Sequence, residues 1–246
     1  MNGIGNVVLL TGAAGGIGRS IAHALLGAEV SVVAVDRDRA RLALLAAAAE
    51  SLGGRIETLV CDVTNQPAVE ATAEAAIATM GRIDALIHCA GKDAPSGRAW
   101  EESAEHWRDI IDVDLNAVWW STRAVLPHMI SRGSGRIILI SSVAGRIPTG
   151  GASVAYNTAK AGINGLTIAL SAQVEGSGVL VNAIAPGPTG TGTAMTSTER
   201  VAYRAMYPLG EGGPEPVARA CLYLLGPGGD WVSGSILNVS GGRYRG

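Results

Sequence analysis

Thr11-Gly12-Ala13-Ala14-Gly15-Gly16-Ile17-Gly18 is the stretch whose reading decides the fold. It follows a short apolar run, Val7-Val8-Leu9-Leu10, which reads as a buried parallel strand. It leads into Ser20-Ile21-Ala22-His23-Ala24-Leu25-Leu26, which reads as a helix. A strand, a glycine-rich turn and a helix start together make an anion site. The first N–H groups of a helix have no partner within it, and the helix dipole favours negative charge there. Glycine has no Cβ, so the backbone can approach a pyrophosphate closely. A tight strand-to-helix connection would use the same glycines, so the loop needs context. The next strand, at 30–35, ends at Asp36. An acid about 20 residues beyond such a loop is what the adenosine ribose hydroxyls require.

Composition narrows the classes. The chain has 246 residues, enough for a substantial core in one α/β domain. It is 48% hydrophobic, which argues against disorder. The net charge is −2 and there is no long basic run, so neither nucleic acid nor an anionic membrane is the expected partner. Three cysteines, Cys61, Cys89 and Cys221, form no CxxC pair, which fits a reducing compartment. No apolar stretch reaches the length of a membrane span, and the residues before the first strand lack a signal-peptide pattern. A cytoplasmic, soluble protein is expected. No His/Cys/acid cluster has metal-ligand spacing, so no metal is expected.

Strand and helix signals then alternate. Helices are predicted over 39–52, 67–80, 103–132, 153–175 and 216–225. Strands are predicted over 56–61, 85–88, 136–140, 180–185 and 235–239. The helix at 67–80 has Asn65 as N-cap and Gly81 as its stop, and Pro127 is expected to kink the helix at 103–132. Residues 189–198 are small and polar and read as a mobile loop. Such alternation predicts a single-domain, Rossmann-type, doubly wound parallel sheet of about seven strands with helices on both faces. Ligands of such sheets sit beyond the carboxyl ends of the strands. Gly12, Asp36, Asp62, Ala90-Gly91, Ser142 and Pro186-Gly187 all follow strands.

Tyr156 and Lys160 stand at i and i+4 on a predicted helix and share a face. A free phenol has a pKa near 10, too high for a base at neutral pH, and a nearby ammonium favours the phenolate. Ser142 would hydrogen-bond a substrate oxygen and position it. A Tyr-x-x-x-Lys match is by itself common on helix surfaces. Its force comes from the dinucleotide loop upstream and the strand-end serine before it.

With these residues in view, the chain resembles the classical short-chain dehydrogenases/reductases over nearly its whole length. The glycine motif is residues 11–18, and the strand-end aspartate that contacts adenine is Asp62 in Cys61-Asp62-Val63. The mid-helix asparagine corresponds to Asn116 in Asp112-Val113-Asp114-Leu115-Asn116. The resemblance implies catalytic roles for Asn116, Ser142, Tyr156 and Lys160. Tyr156 would be the acid/base, Lys160 would favour its phenolate and hold the nicotinamide ribose, and Asn116 would hold a water relayed to Lys160. It implies cofactor contacts at Gly12, Gly15, Gly16, Ile17, Gly18, Asp36, Arg37, Asp62, Val63, Ala90, Gly91, Tyr156, Lys160, Pro186, Gly187, Thr189 and Thr191. It also implies a homotetramer.

The chain departs from the family pattern in places. The usual Asn-Asn-Ala-Gly is His88-Cys89-Ala90-Gly91, and the acid usual near the end of the last strand is Ser240. Pro188 stands between Gly187 and Thr189. His88 reads as a buried hydrogen-bonding residue rather than a base. Asp36 would accept bonds from both ribose hydroxyls and repel a 2′-phosphate, which favours NAD; Arg37 and Arg39 would favour NADP. The substrate is expected to be a small alcohol or ketone, bounded by residues 92–100, 147–154 and 188–207, with Trp100, Tyr203 and Tyr207 as walls. Trp119-Trp120 read as packing or subunit contact. Extended relatives that modify nucleotide sugars need a larger carboxyl-terminal domain than the residues after Pro186 provide. A dinucleotide-binding sensor would not need both Tyr156 and Lys160.

Overall fold

The structure is a computed structural model; it describes residues 7–92, 97–147, 153–190, 196–210 and 212–245. Seven strands form one sheet, ordered β3-β2-β1-β4-β5-β6-β7, and every pair is parallel. In chain order they are β1 (Val7–Thr11), β2 (Ser31–Asp36), β3 (Ile56–Val60), β4 (Ala85–His88), β5 (Gly135–Ile140), β6 (Val179–Pro186) and β7 (Ile236–Val239). The helices are α1 (Gly16–Gly27), α2 (Arg39–Ala49), α3 (Gln66–Met80), α4 (Ala104–Ile111), α5 (Ala117–Ser131), α6 (Val154–Gln173), α7 (Ser197–Met206) and α8 (Glu215–Leu225).

Strand alternation sends side chains to two cores. Val8 and Leu10 of β1 join Ile21 and Leu25 of α1 and Cys221 and Leu224 of α8 on one face. Val7 and Leu9 join Val69 of α3, Val125 of α5 and Ile163 of α6 on the other. β1 is buried from end to end, as expected of a strand covered on both faces. Each such Val, Leu or Ile contributes about 1.5–3 kcal/mol of hydrophobic free energy.

The strand order reverses between β1 and β4. At that reversal Thr11 is in register with Val35 of β2 on one side and His88 of β4 on the other. The Thr11 hydroxyl oxygen accepts from the N–H groups of Cys89 (3.2 Å) and Ala90 (3.3 Å), which ties the two strand ends together. A crevice opens here, where a doubly wound sheet binds its ligand.

Local chemistry sets the boundaries that matter. Asn65 caps α3 by accepting from Ala68 N–H, and Gly81 ends it at φ +77°. Ser153 caps α6 by accepting from Tyr156 N–H at 3.1 Å, so the helix that carries Tyr156 and Lys160 starts at a fixed place. The helix expected over 103–132 is not continuous. α4 and α5 are joined by a π turn, Asp112–Asn116, in which Ala117 N–H bonds Asp112 C=O. Such a turn inserts one extra residue and rotates the helix beyond it. α5 then runs through Pro127 to Ser131. The helix expected over 39–52 ends at Ala49, and residues 197–206 form α7, which the sequence pattern did not predict.

Candidate active site

The carboxyl ends of the strands enclose a cleft of about 760 Å³. Its lining includes Gly12, Gly15, Gly16, Ile17, Gly18, Asp36, Arg37, Asp62, Val63, Ala90, Gly91, Ser142, Tyr156, Lys160, Pro186, Gly187 and Thr189. The loop after β1 is shaped for close approach. Gly12 has φ +64°, and a Cβ there would lie 2.6 Å from Ala90 Cα. A Cβ on Gly18 would lie 2.0 Å from the Gly12 carbonyl oxygen. α1 has no side-chain cap and no acid in its first turn, so its leading N–H groups are left for an anion. A cradle built without side chains at a helix start fits a dinucleotide pyrophosphate.

Asp36 lies beside that loop. One of its carboxylate oxygens accepts from Ala14 N–H (3.0 Å) and the other from Asp38 N–H (3.1 Å). The carboxylate is thereby held at the cleft wall. Arg37 and Arg41 also line the cleft; Arg39, two residues before Arg41, does not. Asp62 is exposed. The Thr64 N–H and then its hydroxyl bond the Asp62 carboxyl and hold it below the usual carboxylate range.

The far half of the cleft carries the proton-transfer residues. Tyr156 is half-buried, and the Lys160 ammonium lies 5.4 Å from its ring centroid. Ser142 Oγ accepts from Ala144 N–H at 3.1 Å, which leaves its own proton free to donate. The neighbouring Ser141 is buried, and its hydroxyl bonds the Lys160 carbonyl at 3.0 Å. That contact docks the end of β5 onto α6, so Ser142, Tyr156 and Lys160 are fixed relative to one another.

Lys160 is only 5% exposed, and its ammonium lies 2.9 Å from Oδ1 of Asp114, which is fully buried. Burial opposes the Lys160 charge, but the Asp114 carboxylate, and after it Tyr156, outweigh burial and hold the ammonium above the ordinary lysine value. Here the assignment of Asn116 requires correction. Its amide donates to Asp112 Oδ1 at 2.7 Å, and Asn116 does not line the cleft. Asp114 lines it instead. The two stand two residues apart, about 200° around a helix, so only one of them can face α6.

His88 is buried; the Ala90 backbone lies within weak hydrogen-bonding reach of its ring, and among the described residues neither ring nitrogen has a partner of good geometry. Burial, and then the charge on Lys160, push its pKa down to about 3, so it stays neutral. Burial pushes the Cys89 thiol up to about 12, which rules it out as a nucleophile near neutral pH. Thr191 lies outside the described residues, as do 93–96 and 148–152 of the expected substrate walls. Tyr207 lines the cleft together with Met206 and Arg243, and the Arg243 guanidinium lies 5.9 Å from the Tyr207 ring centroid. Sequence reasoning missed Asp114, Ser141, Arg41 and Arg243. Asp114 stands inside the motif quoted for Asn116 and Ser141 directly precedes Ser142, so these two carried a readable signal, whereas Arg41 and Arg243 carried none.

Fold and cleft define a dinucleotide-binding α/β protein with a Tyr–Lys–Ser centre. The model of the short chain dehydrogenase family matches residues 6–202, and the chain belongs to that family. It is 34% identical to the 3-oxoacyl-(acyl-carrier-protein) reductase FabG of Escherichia coli, over 99% of each chain. Among solved structures, a short-chain type dehydrogenase/reductase from Mycobacterium ulcerans superposes with a TM-score of 0.92 at 28% identity, over 99% of this chain and 91% of that one. A 3-oxoacyl-(acyl-carrier-protein) reductase from Brucella melitensis with bound NAD gives 0.89 at 31% identity, over 98% and 92%. The chain is thus an oxidoreductase of a family that acts on CH–OH or keto groups. Among the described residues no helix is long and apolar enough to cross a membrane.

Proposed function

We propose that this chain is an NAD(H)-linked alcohol dehydrogenase or carbonyl reductase for a secondary alcohol/ketone pair, with Tyr156 as the general acid/base. The observation that carries this reading is the shared cleft: Tyr156, Lys160 and Ser142 line the same space as the glycine cradle and Asp36. The dinucleotide, when bound, supplies or accepts the hydride. Gly12 to Gly18 hold its pyrophosphate, Asp36 its adenosine ribose, and Asp62 and Val63 its adenine. Ala90, Gly91, Pro186, Gly187 and Thr189 line its path toward Tyr156, and Thr191 is assigned by family resemblance. In reduction Ser142 donates a hydrogen bond to the carbonyl oxygen and Tyr156 donates its proton to it. In oxidation Tyr156 takes the hydroxyl proton. Lys160 favours the phenolate by its charge. Such acid/base help contributes about 10²–10⁴ in rate.

A second reading, an NADP(H)-linked 3-oxoacyl reductase, is favoured by the names of the relatives and by Arg37 and Arg41 at the cleft wall. Titration with NADH and NADPH separates the two. Tighter NADH binding, followed by turnover of simple ketones, supports the first; tighter NADPH binding, with turnover of 3-oxoacyl thioesters, supports the second. A non-catalytic sensor would bind the dinucleotide and turn over neither substrate class. We further read the chain as a cytoplasmic homotetramer, with exposed Trp119 of α5 and Ile168 of α6 as subunit contacts; Trp120 packs into the core.

A further inference from the structure

We propose that Asp114 is the fixed counter-ion of Lys160, a positioning residue that holds the ammonium in the cleft and moderates the positive field acting on Tyr156. This rests on the reading of Tyr156 as the proton-transfer group.

The geometry is specific. Asp114 is fully buried, and its Oδ1 lies 2.9 Å from Lys160 Nζ. Its two carboxylate oxygens also lie 3.2 and 3.3 Å from the Lys92 backbone nitrogen, so the acid fixes the chain after β4 as well as the lysine. A Cβ on Gly91 would lie 2.8 Å from Asp114 Oδ1 and 3.3 Å from Lys160 Nζ, so the glycine makes room for the pair. The π turn supplies the orientation, because its extra residue turns Asp114 toward α6 and leaves Asn116 on Asp112.

Among the described residues, the other groups named around the centre supply no counter-charge to Lys160. From β4 and its end come His88, neutral, and Cys89, a protonated thiol. From β5 comes the Ile140 carbonyl, 3.5 Å from Nζ. The Lys92 ammonium is paired with Asp109. Tyr156 packs with Ile111 and Leu115 on a small cluster of Ile110, Ala155 and Ala159. Glu102, which accepts from Ala155 N–H, and His106 beside it are the titratable groups at the start of α6. Among the described residues, Asp114 is the carboxylate that reaches Lys160.

The electrostatic consequence follows from distance. A lone ammonium at the Tyr156 ring would favour the phenolate strongly in a dry site. A carboxylate 2.9 Å from the ammonium makes a neutral pair with it, and Tyr156, its ring centroid 5.4 Å from the ammonium, then feels a dipole instead of a full charge. The phenolate is favoured less, and alcohol oxidation needs higher pH than it would with a neutral side chain at position 114. Removing the carboxylate also leaves Lys160 buried without a counter-ion, which promotes its deprotonation.

Asp114→Asn keeps the shape and removes the charge. We expect the ascending limb of the alcohol-oxidation pH profile to move to lower pH by about one unit, and a descending limb to enter from the alkaline side. A second readout needs no turnover. The ultraviolet phenolate titration of the protein minus that of Tyr156→Phe reports Tyr156 directly, and the same difference is measured with Asp114→Asn present in both proteins. It should shift the same way. Asp114→Glu, which restores the charge, should return the limb toward its original pH with lower kcat. If Asp114→Asn melts out, Asp114→Ser is the second neutral variant. A uniform loss of kcat with both titrations unmoved within about 0.3 pH unit, against the shift expected from charge removal, would overturn the proposal and leave Asp114 as packing only. If the wild type turns over no alcohol, the proposed function fails while the phenolate titration still decides the role of Asp114.

Discussion

Replacing Asp36 by Asn tests the cofactor assignment at its electrostatic root. The wild-type carboxylate is held in place by the Ala14 and Asp38 N–H groups at 3.0 and 3.1 Å. Asn keeps one acceptor oxygen for Ala14, and Asp38 N–H turns to water at the half-exposed strand end, so the loop should persist. Two energies change. A 2′-phosphate set beside Asp36 meets a like charge at about 4 Å, costing about 1 kcal/mol in bulk water and about 4 at an effective dielectric of 20. Asp36 is only partly buried, so about 1–3 kcal/mol is the expected relief for NADPH. NADH loses the charged character of its ribose hydrogen bonds, about 1 kcal/mol. Together the NADH-over-NADPH preference should fall by about 2–4 kcal/mol, or about 30- to 1000-fold. The assay is titration of nicotinamide fluorescence with each cofactor, on both proteins, at fixed salt. A change in the ratio below about threefold, well under that range, would show that the charge of Asp36 does not set the preference and would transfer it to Arg37 and Arg41.

Tyr156→Phe should cut turnover by about 10²–10⁴ while NADH affinity stays within about twofold; steady-state rates beside a binding titration check this, and retained turnover removes Tyr156 from the chemistry. Gly18→Ala would set a methyl group 2.0 Å from the Gly12 carbonyl and should abolish measurable dinucleotide binding, whereas Gly27→Ala meets nothing within 4 Å and should be neutral or stabilising. Equal binding by both variants would remove the cradle argument. His88 titrates near 6.5 when unfolded and at about 3 when folded, so below pH 6.5 the unfolded chain holds the extra proton. Stability should therefore drain as pH falls, by about 2 kcal/mol between pH 8 and 5. Urea unfolding at those two pH values should show a smaller acid loss in His88→Asn, and an identical loss in both proteins would refute the assignment.

What could be read from sequence divides by the range of the forces involved. β1 and the glycines beside it were legible because their demands are local. A strand buried on both faces is a continuous apolar run, and Gly18 is required by backbone atoms within two turns of chain. The i, i+4 relation of Tyr156 and Lys160 is equally local, and Ser153 fixes the helix on which it depends. Residues 103–132 show the limit. The apolar pattern is that of one helix, and a period of 3.6 does not register a single extra residue. The inserted turn decides whether Asp114 or Asn116 meets Lys160, and counting along the motif chose the wrong one. Arg41 rather than Arg39 reaches the cleft for a similar reason of helix phase. Arg243 reaches it only because the tail after β7 folds back onto the 207–210 segment, where Leu209 N–H bonds the Gly241 carbonyl.

Asp36 and Asp114 place the same chemical group on the lining of one cleft, and their surroundings make them distinguishable by salt alone. Asp36 is half-exposed at the mouth, so its action on a 2′-phosphate passes partly through solvent. The Debye length is about 10 Å at 0.1 M salt and about 3 Å at 1 M, so raising salt should weaken discrimination against NADPH in the wild type and change it little in Asp36→Asn. Asp114 and Lys160 are 0% and 5% exposed, and their charges meet inside the protein. Mobile ions do not enter that space, so the pH difference between Asp114→Asn and the wild type should persist at about 1 M salt, where solvent-exposed charges are largely screened. A pH difference that collapsed with salt would place the interaction at the surface and contradict the burial of the pair; a cofactor preference indifferent to salt would mean that Asp36 discriminates by fit to the ribose hydroxyls, with charge repulsion a minor part.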